Sequence, residues 1–242
     1  MWEKDRGILL GHVRHNDKSC IAHIFTEAGG YTSFIFYISD TGKGARRNTL
    51  LQPLTLIEFQ CNPNGRDTAL QHLREPVNIQ PYTDIPFNPV KSCIALFLGE
   101  FLTYALREER ENRPLFSFLA EAVNGIDRMP HTENAHLYII LKVSNYLGIG
   151  PNTDRYEPGY WLDMRDGTYS ATQPQHTEVL DPDEAYKTVQ LMKCDDIAQA
   201  SEIPMTGSMR AGLVNMMNQY FRLHVPGFPI LKSTEVMQAV FS

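Results

Sequence analysis

The sequence predicts an α+β chain: an N-terminal five-stranded OB-fold barrel, then an all-helical C-terminal domain with an irregular insertion. Two observations predict it. Over residues 7–80, apolar and polar positions alternate in short runs separated by turn signals, the pattern of a small closed barrel. From Pro86 onward, apolar residues recur at steps of three and four, as in helices that bury one face. A chain of 242 residues with 43% apolar and 21% charged residues has room for two such domains and lies outside the collagen-like, coiled-coil and disordered classes. The expected domains are residues 1–81 and 82–242, with the insertion at about 149–180.

The strands follow in order. Gly7–His15 and Ser19–Phe25 alternate; Gly29-Gly30 marks a turn before the aromatic, β-branched run Tyr31–Ile38. Leu54–Cys61 is the fourth strand, closed by Asn62-Pro63-Asn64-Gly65, and Leu70–Ile79 is a weaker fifth. Helices come next. Val90, Cys93, Ile94, Phe97, Phe101 and Ala105 form a stripe that opens at Asn88-Pro89, a capping residue followed by proline at the first helical position. The charged run Arg107–Arg113 ends it. Leu115–Val123 and Asn134–Leu147 are the next two helices, the second stopped by Gly148 and Pro151. Asp181 with Glu184 forms a capping box that opens a helix to about Leu191, and Ser208–Leu223 and Ser233–Phe241 complete the set.

Charge narrows the function only by position. The net charge is −6, which opposes binding to a polyanion. Residues 1–80, however, carry nine Lys/Arg against eight Asp/Glu, so the acidity lies in the rest of the chain. No run of apolar residues reaches membrane-spanning length, since Cys93–Leu106 is interrupted by Glu100, and Met1–Arg6 is a charged start with no signal-peptide core behind it. Four cysteines, none in a CxxC pair, read as thiols of a reducing cytoplasm.

A search for catalytic chemistry returns little. His12 and His15 are an odd number apart and point to opposite faces of one strand, so with His23 they read as strand histidines rather than a zinc triad. His131, Glu133 and His136 lack HExxH spacing, and Gly42-Lys43-Gly44 lacks the phosphate-cradling spacing of GxxxxGK[ST]. Asp163, Asp166, Asp181 and Glu184 read as turn and capping residues, and Ser92-Cys93 as helix core. The informative element is Thr41–Thr49, where Lys43, Arg46 and Arg47 place three cations within five residues and two glycines allow backbone N–H groups close to an anion. The strand before it carries Phe34 and Phe36 on one face and Tyr31 and Tyr37 on the other; one set fills the barrel and leaves the other available for stacking on bases.

Further segments carry a resemblance. Gly7-Ile8-Leu9-Leu10, Lys43-Gly44-Ala45-Arg46-Arg47 leading into Leu51-Gln52-Pro53-Leu54, Leu115–Leu119, Leu147–Pro151, and Gln219–Phe228 before Leu231-Lys232-Ser233 occur in order over nearly the whole chain. Together they resemble RecO, the bacterial recombination mediator family, in the version found in Bacteroidetes-type bacteria. The resemblance implies an N-terminal OB-fold and a helical C-terminal domain. It also implies sequence-independent binding to single- and double-stranded DNA and annealing of complementary strands. With RecR, such proteins help load RecA onto DNA coated by single-strand binding protein (SSB), whose C-terminal tail docks on the helical domain. It implies no covalent chemistry, no membrane, and a cytoplasmic location, nucleoid-associated during repair.

Many RecO relatives carry two CxxC zinc pairs after the Gly-x-x-Pro segment. Here Asn152–Gln175 has no cysteine, so no cofactor and no zinc are expected, with Tyr156, Tyr160, Trp161 and Tyr169 clustering instead. The expected DNA contacts are Lys43, Arg46 and Arg47, supported by Arg14, Lys18, Arg66 and Arg74. Lys91, Arg128, Lys142, Arg210 and Arg222 are candidate cations for the terminal carboxylate of the SSB tail, each read first as an exposed helix charge; the stripe Met209, Met216, Met217, Tyr220 and Phe221 reads as core, and the tail site is left unassigned. The alternative is an interaction scaffold with little intrinsic DNA affinity, motivated by the acidic remainder; an OB-fold nuclease, which needs clustered carboxylates and a divalent metal, ranks last.

Overall fold

The computed structural model describes residues 2–38, 48–62 and 70–241. Contacts divide the chain into two compact units, Met1–Asn88 with Ala95–Asn124, and Pro89–Ile94 with Gly125–Ser242.

In the first unit, β1 (Glu3–Asn16) pairs antiparallel with both β2 (Ser19–Thr26) and β4 (Leu56–Cys61). Its first half lies against β4 and its second half against β2, with Gly7 and Ile8 paired on both sides. A register shift between Leu9 and Gly11 bends the strand where it changes partner. β3 (Gly30–Tyr37) adds to β2, β5 (Gln71–His72) runs parallel to β3, and β6 (Arg74–Asn78) pairs with β4. The resulting order is β5-β3-β2-β1-β4-β6. Its two edge strands are separated along the chain only by Leu73, whose N–H donates to Ile35 O at 2.9 Å and whose side chain is buried. The sheet therefore curls until one chain segment serves both edges, as in an OB-fold. The fifth strand is two short strands rather than one because Leu73 turns inward where the pairing partner changes.

Alternation fills this curl. Phe34, Phe36, Phe59, Leu9, Ile24 and Cys20 form its core, with Phe34 and Phe59 edge to face at 5.1 Å. Helix α1 (Pro89–Ala105) contributes Phe97, Leu98 and Phe101, and α2 (Arg113–Arg128) contributes Leu115, Phe116 and Leu119 to the buried set. Two glycines let backbone meet backbone. A Cβ on Gly99 would lie 2.5 Å from Leu10 O, and one on Gly30, at φ +69°, would lie 2.2 Å from Arg110 O. Beside the second contact, Tyr31 N–H donates to Glu109 O at 2.9 Å.

The second unit is built around α3 (Ala135–Tyr146), whose residues Leu137–Leu141 are all buried, as expected of a helix apolar on every side. Helices α4 (Pro182–Lys193), α5 (Ile197–Glu202) and α6 (Gly207–His224) pack on it, and α7 (Ser233–Phe241) packs on α6. Asp181 and Glu184 form the expected capping box. The segment read as irregular holds a small sheet of order β8-β7-β9: β7 (Trp161–Asp163), β8 (Thr168–Ser170) and β9 (Val179–Leu180). Strands this short show no readable period. Met217, Tyr220 and Phe221 are core, as expected, with Met209 and Met216 half-buried. The reading of Lys91, Lys142 and Arg210 as exposed charges is corrected. Lys91 is buried and donates to Asp127 O at 2.9 Å, and Lys142 donates to Met192 O at 3.0 Å; both cap carbonyls at helix C-termini. Arg210 donates to Asn134 Oδ1 at 3.0 Å.

Candidate nucleic-acid interface

Four of the seven expected DNA contacts, Lys43, Arg46, Arg47 and Arg66, lie outside the described residues. Arg14 and Lys18 sit at the β1–β2 hairpin, both exposed, and Arg74 opens β6. Arg14 is shared with Asp17 at 3.1 Å, an exposed pair that holds little energy. Other cations of β1 are more firmly taken. Arg6 grips Glu27 through two 2.8 Å bonds, which hold the Glu27 carboxyl below its ordinary range, and Lys4 pairs with Glu58 at 2.9 Å. Among the described residues Lys18 and Arg74 form no ion pair, so their charge is available to an outside anion.

Each stands beside an exposed ring. Ser19 pairs with Tyr37, and Ile38 N–H donates to Lys18 O at 2.9 Å, so Lys18 adjoins the end of β3. Tyr37, 59% exposed, stacks nearly parallel on His72 of β5 at 5.2 Å and 9°. Two residues on, the Arg74 guanidinium lies 4.3 Å over the ring of Trp2, itself 48% exposed. His72 and Arg74 face outward because Leu73 between them faces the core. The result is a band of two flat ring systems and two cations that form no ion pair among the described residues, along the outside of the curled sheet. The segment carrying Lys43, Arg46 and Arg47 follows Ile38 directly in the chain. Of the two aromatic sets, Phe34 and Phe36 fill the interior, while Tyr37 is exposed and Tyr31 half-buried outside. Trp2 and His72 were missed. Trp2 meets its partner only through the fold, and a lone His carries no strand signal.

Among the described residues the histidines form no metal-binding triad. His12 and His15 are exposed on β1, whereas the His23 Nδ1 lies 3.0 Å from Ser33 Oγ and its ring stacks on Tyr31 at 5.8 Å. Among the described residues no group of three His, Cys, Asp or Glu side chains is placed to hold a metal ion. The thiolates that a four-cysteine zinc site uses have no counterpart in Asn152–Gln175. In and just after that segment His176 lies 3.0 Å from Asp163, Arg165 binds Glu178 at 2.8 Å, and the rings of Tyr156 and Tyr169 meet edge to face at 5.0 Å. Tyr160 turns instead to Glu157, and Trp161 is half-buried on β7. The carboxylates Asp163, Asp181 and Glu184 are committed to turns and caps, and the four cysteines are buried and form no disulfide. No helix among the described residues is long and apolar enough to cross a membrane.

Comparison with known proteins agrees with this architecture. The family model for the recombination protein O N terminal matches residues 1–82, and that for the recombination protein O C terminal matches residues 86–234. Proteins named DNA repair protein RecO are 39% identical in Bacteroides fragilis and 36% identical in Phocaeicola vulgatus, each over all of both chains. One from Flavobacterium psychrophilum is 26% identical over 99% of both. With an OB-type sheet bearing exposed rings and cations, a helical region after it in the chain, and full-length similarity at this level, the chain belongs to the RecO family of DNA repair proteins.

Proposed function

We propose that this protein binds single- and double-stranded DNA without sequence preference through the outer face of its curled sheet, and anneals complementary strands. The carrying observation is the band Lys18–Tyr37–His72–Arg74–Trp2, which joins exposed rings to cations without an ion pair among the described residues. Cations neutralise phosphates whatever the base, and flat rings accept any base by stacking, so neither contact reads sequence. Lys43, Arg46, Arg47, Arg14 and Arg66 extend the basic surface in this reading. Annealing follows physically: a cationic surface screens two polyanions and lets complementary strands meet. With RecR the protein helps load RecA onto DNA coated by SSB, whose C-terminal tail it also binds, acting in the cytoplasm at the nucleoid. It breaks no covalent bond and uses no cofactor and no zinc; the cysteine-free segment 152–175 and its side-chain pairs support the last point.

The test is the annealing rate of complementary labelled strands with and without the protein. Wild type should accelerate annealing, and the double variant Lys18→Ala, Arg74→Ala should lose most of that acceleration at physiological salt. No acceleration by folded wild type would favour the scaffold reading, in which the protein reaches DNA only through partners. Metal analysis should find no bound zinc; one tightly held zinc per chain would sink that part.

A further inference from the structure

A groove of about 580 Å³ lies within the first unit, between the outer face of β1–β3 and the C-terminal half of α1. That volume is in the range of small-ligand sites. Its walls are pinned at two places by backbone contact. Gly99 brings α1 onto Leu10, and Gly30 with the Tyr31 N–H holds the chain at Glu109 and Arg110. Neither contact has room for a Cβ, so backbone meets backbone at both places.

Its lining is specific in kind. His23 and Tyr31 stack on each other with 18° between their planes, and the Ser33 hydroxyl fixes the imidazole. Burial, then the charges of Arg107 and His12, push the His23 pKa below its usual value, so the ring is neutral at pH 7. Tyr104 adds a third ring from the helix side. Arg107, exposed and just beyond α1, forms no ion pair among the described residues, and its field reaches both His23 and Tyr31. The Glu100 carboxylate also lines the groove. Rings in the lining and one exposed guanidinium beside them, without an ion pair among the described residues, suit a flat, uncharged ring attached to a phosphate.

The geometry points to this groove as the seat of one unstacked nucleobase of single-stranded DNA, with its phosphate on Arg107. A duplex keeps its bases paired and stacked and cannot present one here, so the groove favours single strands. This deepens the DNA-binding reading above and rests on it.

The test is fluorescence anisotropy with the full chain and three probes: a labelled oligothymidine, an abasic strand of equal length, and a duplex. Wild type should bind the oligothymidine well over tenfold more tightly than the abasic strand, because the groove and the exposed rings of the outer face each stack a base. Thr103→Trp, which fills the groove, should narrow that difference about tenfold, the scale of one stacked base, and leave duplex binding within about twofold. Arg107→Ala, on the surface and harmless to the fold, should flatten the single-strand salt slope by about 0.7 and leave the duplex slope unchanged. If Thr103→Trp does not fold, Arg107→Ala decides. Wild-type behaviour of the variants on single strands, or an equal loss on single strand and duplex, overturns the groove assignment while the DNA reading stands. Failure of wild type to bind any of the three probes overturns both.

Discussion

His136 is the second residue of α3 and fully buried; burial first, and then the nearby Arg210 charge, push its pKa down to about 3. In the unfolded chain it titrates near 6.5, so below that pH the unfolded state binds the extra proton and stability falls with pH. The loss should reach about 2 kcal/mol between pH 7 and pH 5. Carboxylates held low, such as Glu27 and Asp163, contribute only at lower pH. Denaturant midpoints at the two pH values should show this fall, and His136→Leu should largely abolish it; an equal fall in the variant would move the effect elsewhere. Gly99 makes a second prediction at this scale. Alanine normally stabilises a helix relative to glycine by about 1 kcal/mol. Here its Cβ would meet the Leu10 carbonyl at 2.5 Å, so Gly99→Ala should destabilise by about 2 kcal/mol or more in chemical melts. At this scale the sequence was legible only in part. Alternation separated Phe34 and Phe36 from Tyr31 and Tyr37, but which pair faced inward depended on how the sheet closes. Lys91 and Lys142 looked solvated because the carbonyls they cap belong to helix ends distant in sequence.

Elements with strong local signals were readable. The capping box of α4 is one: Asp181 Oδ1 accepts from Asp183 N–H and Glu184 N–H, each at 2.9 Å, and Glu184 reaches back to Asp181. Asp181→Ala should cost about 1 kcal/mol in thermal or denaturant unfolding, while Asp181→Ser should restore most of it. A cost near zero for alanine would mean that the helix start is held by packing alone. Elements defined by distant pairing were not readable. The split of the fifth strand at Leu73 follows from two different partners, β3 and β4, and neither leaves a mark on residues 70–79. Strands β7–β9 and the six-residue α5 are too short for a period to emerge, although Asp196 caps α5 with its carboxylate on Gln199 N–H.

For the whole chain, net charge was a poor guide, because what matters is which cations are free. Lys4, Arg6 and Arg14 are matched by Glu58, Glu27 and Asp17, whereas Lys18, Arg74 and Arg107 are not matched among the described residues. The basic run Lys43–Arg47 was the sequence's clearest pointer to DNA; the rings that accompany the free cations, Trp2 and His72, emerged only from the fold. The measurement that tests the central claim most directly is the salt dependence of single-stranded DNA binding by the intact protein. With three to five phosphates engaged, log K against log salt should slope about −2 to −4. Replacing Lys18 and Arg74 by alanine should flatten it by about 1.4, and replacing Arg46 and Arg47 by a similar amount. A folded protein that binds no DNA at low salt, or binds with a slope near zero, would contradict the account.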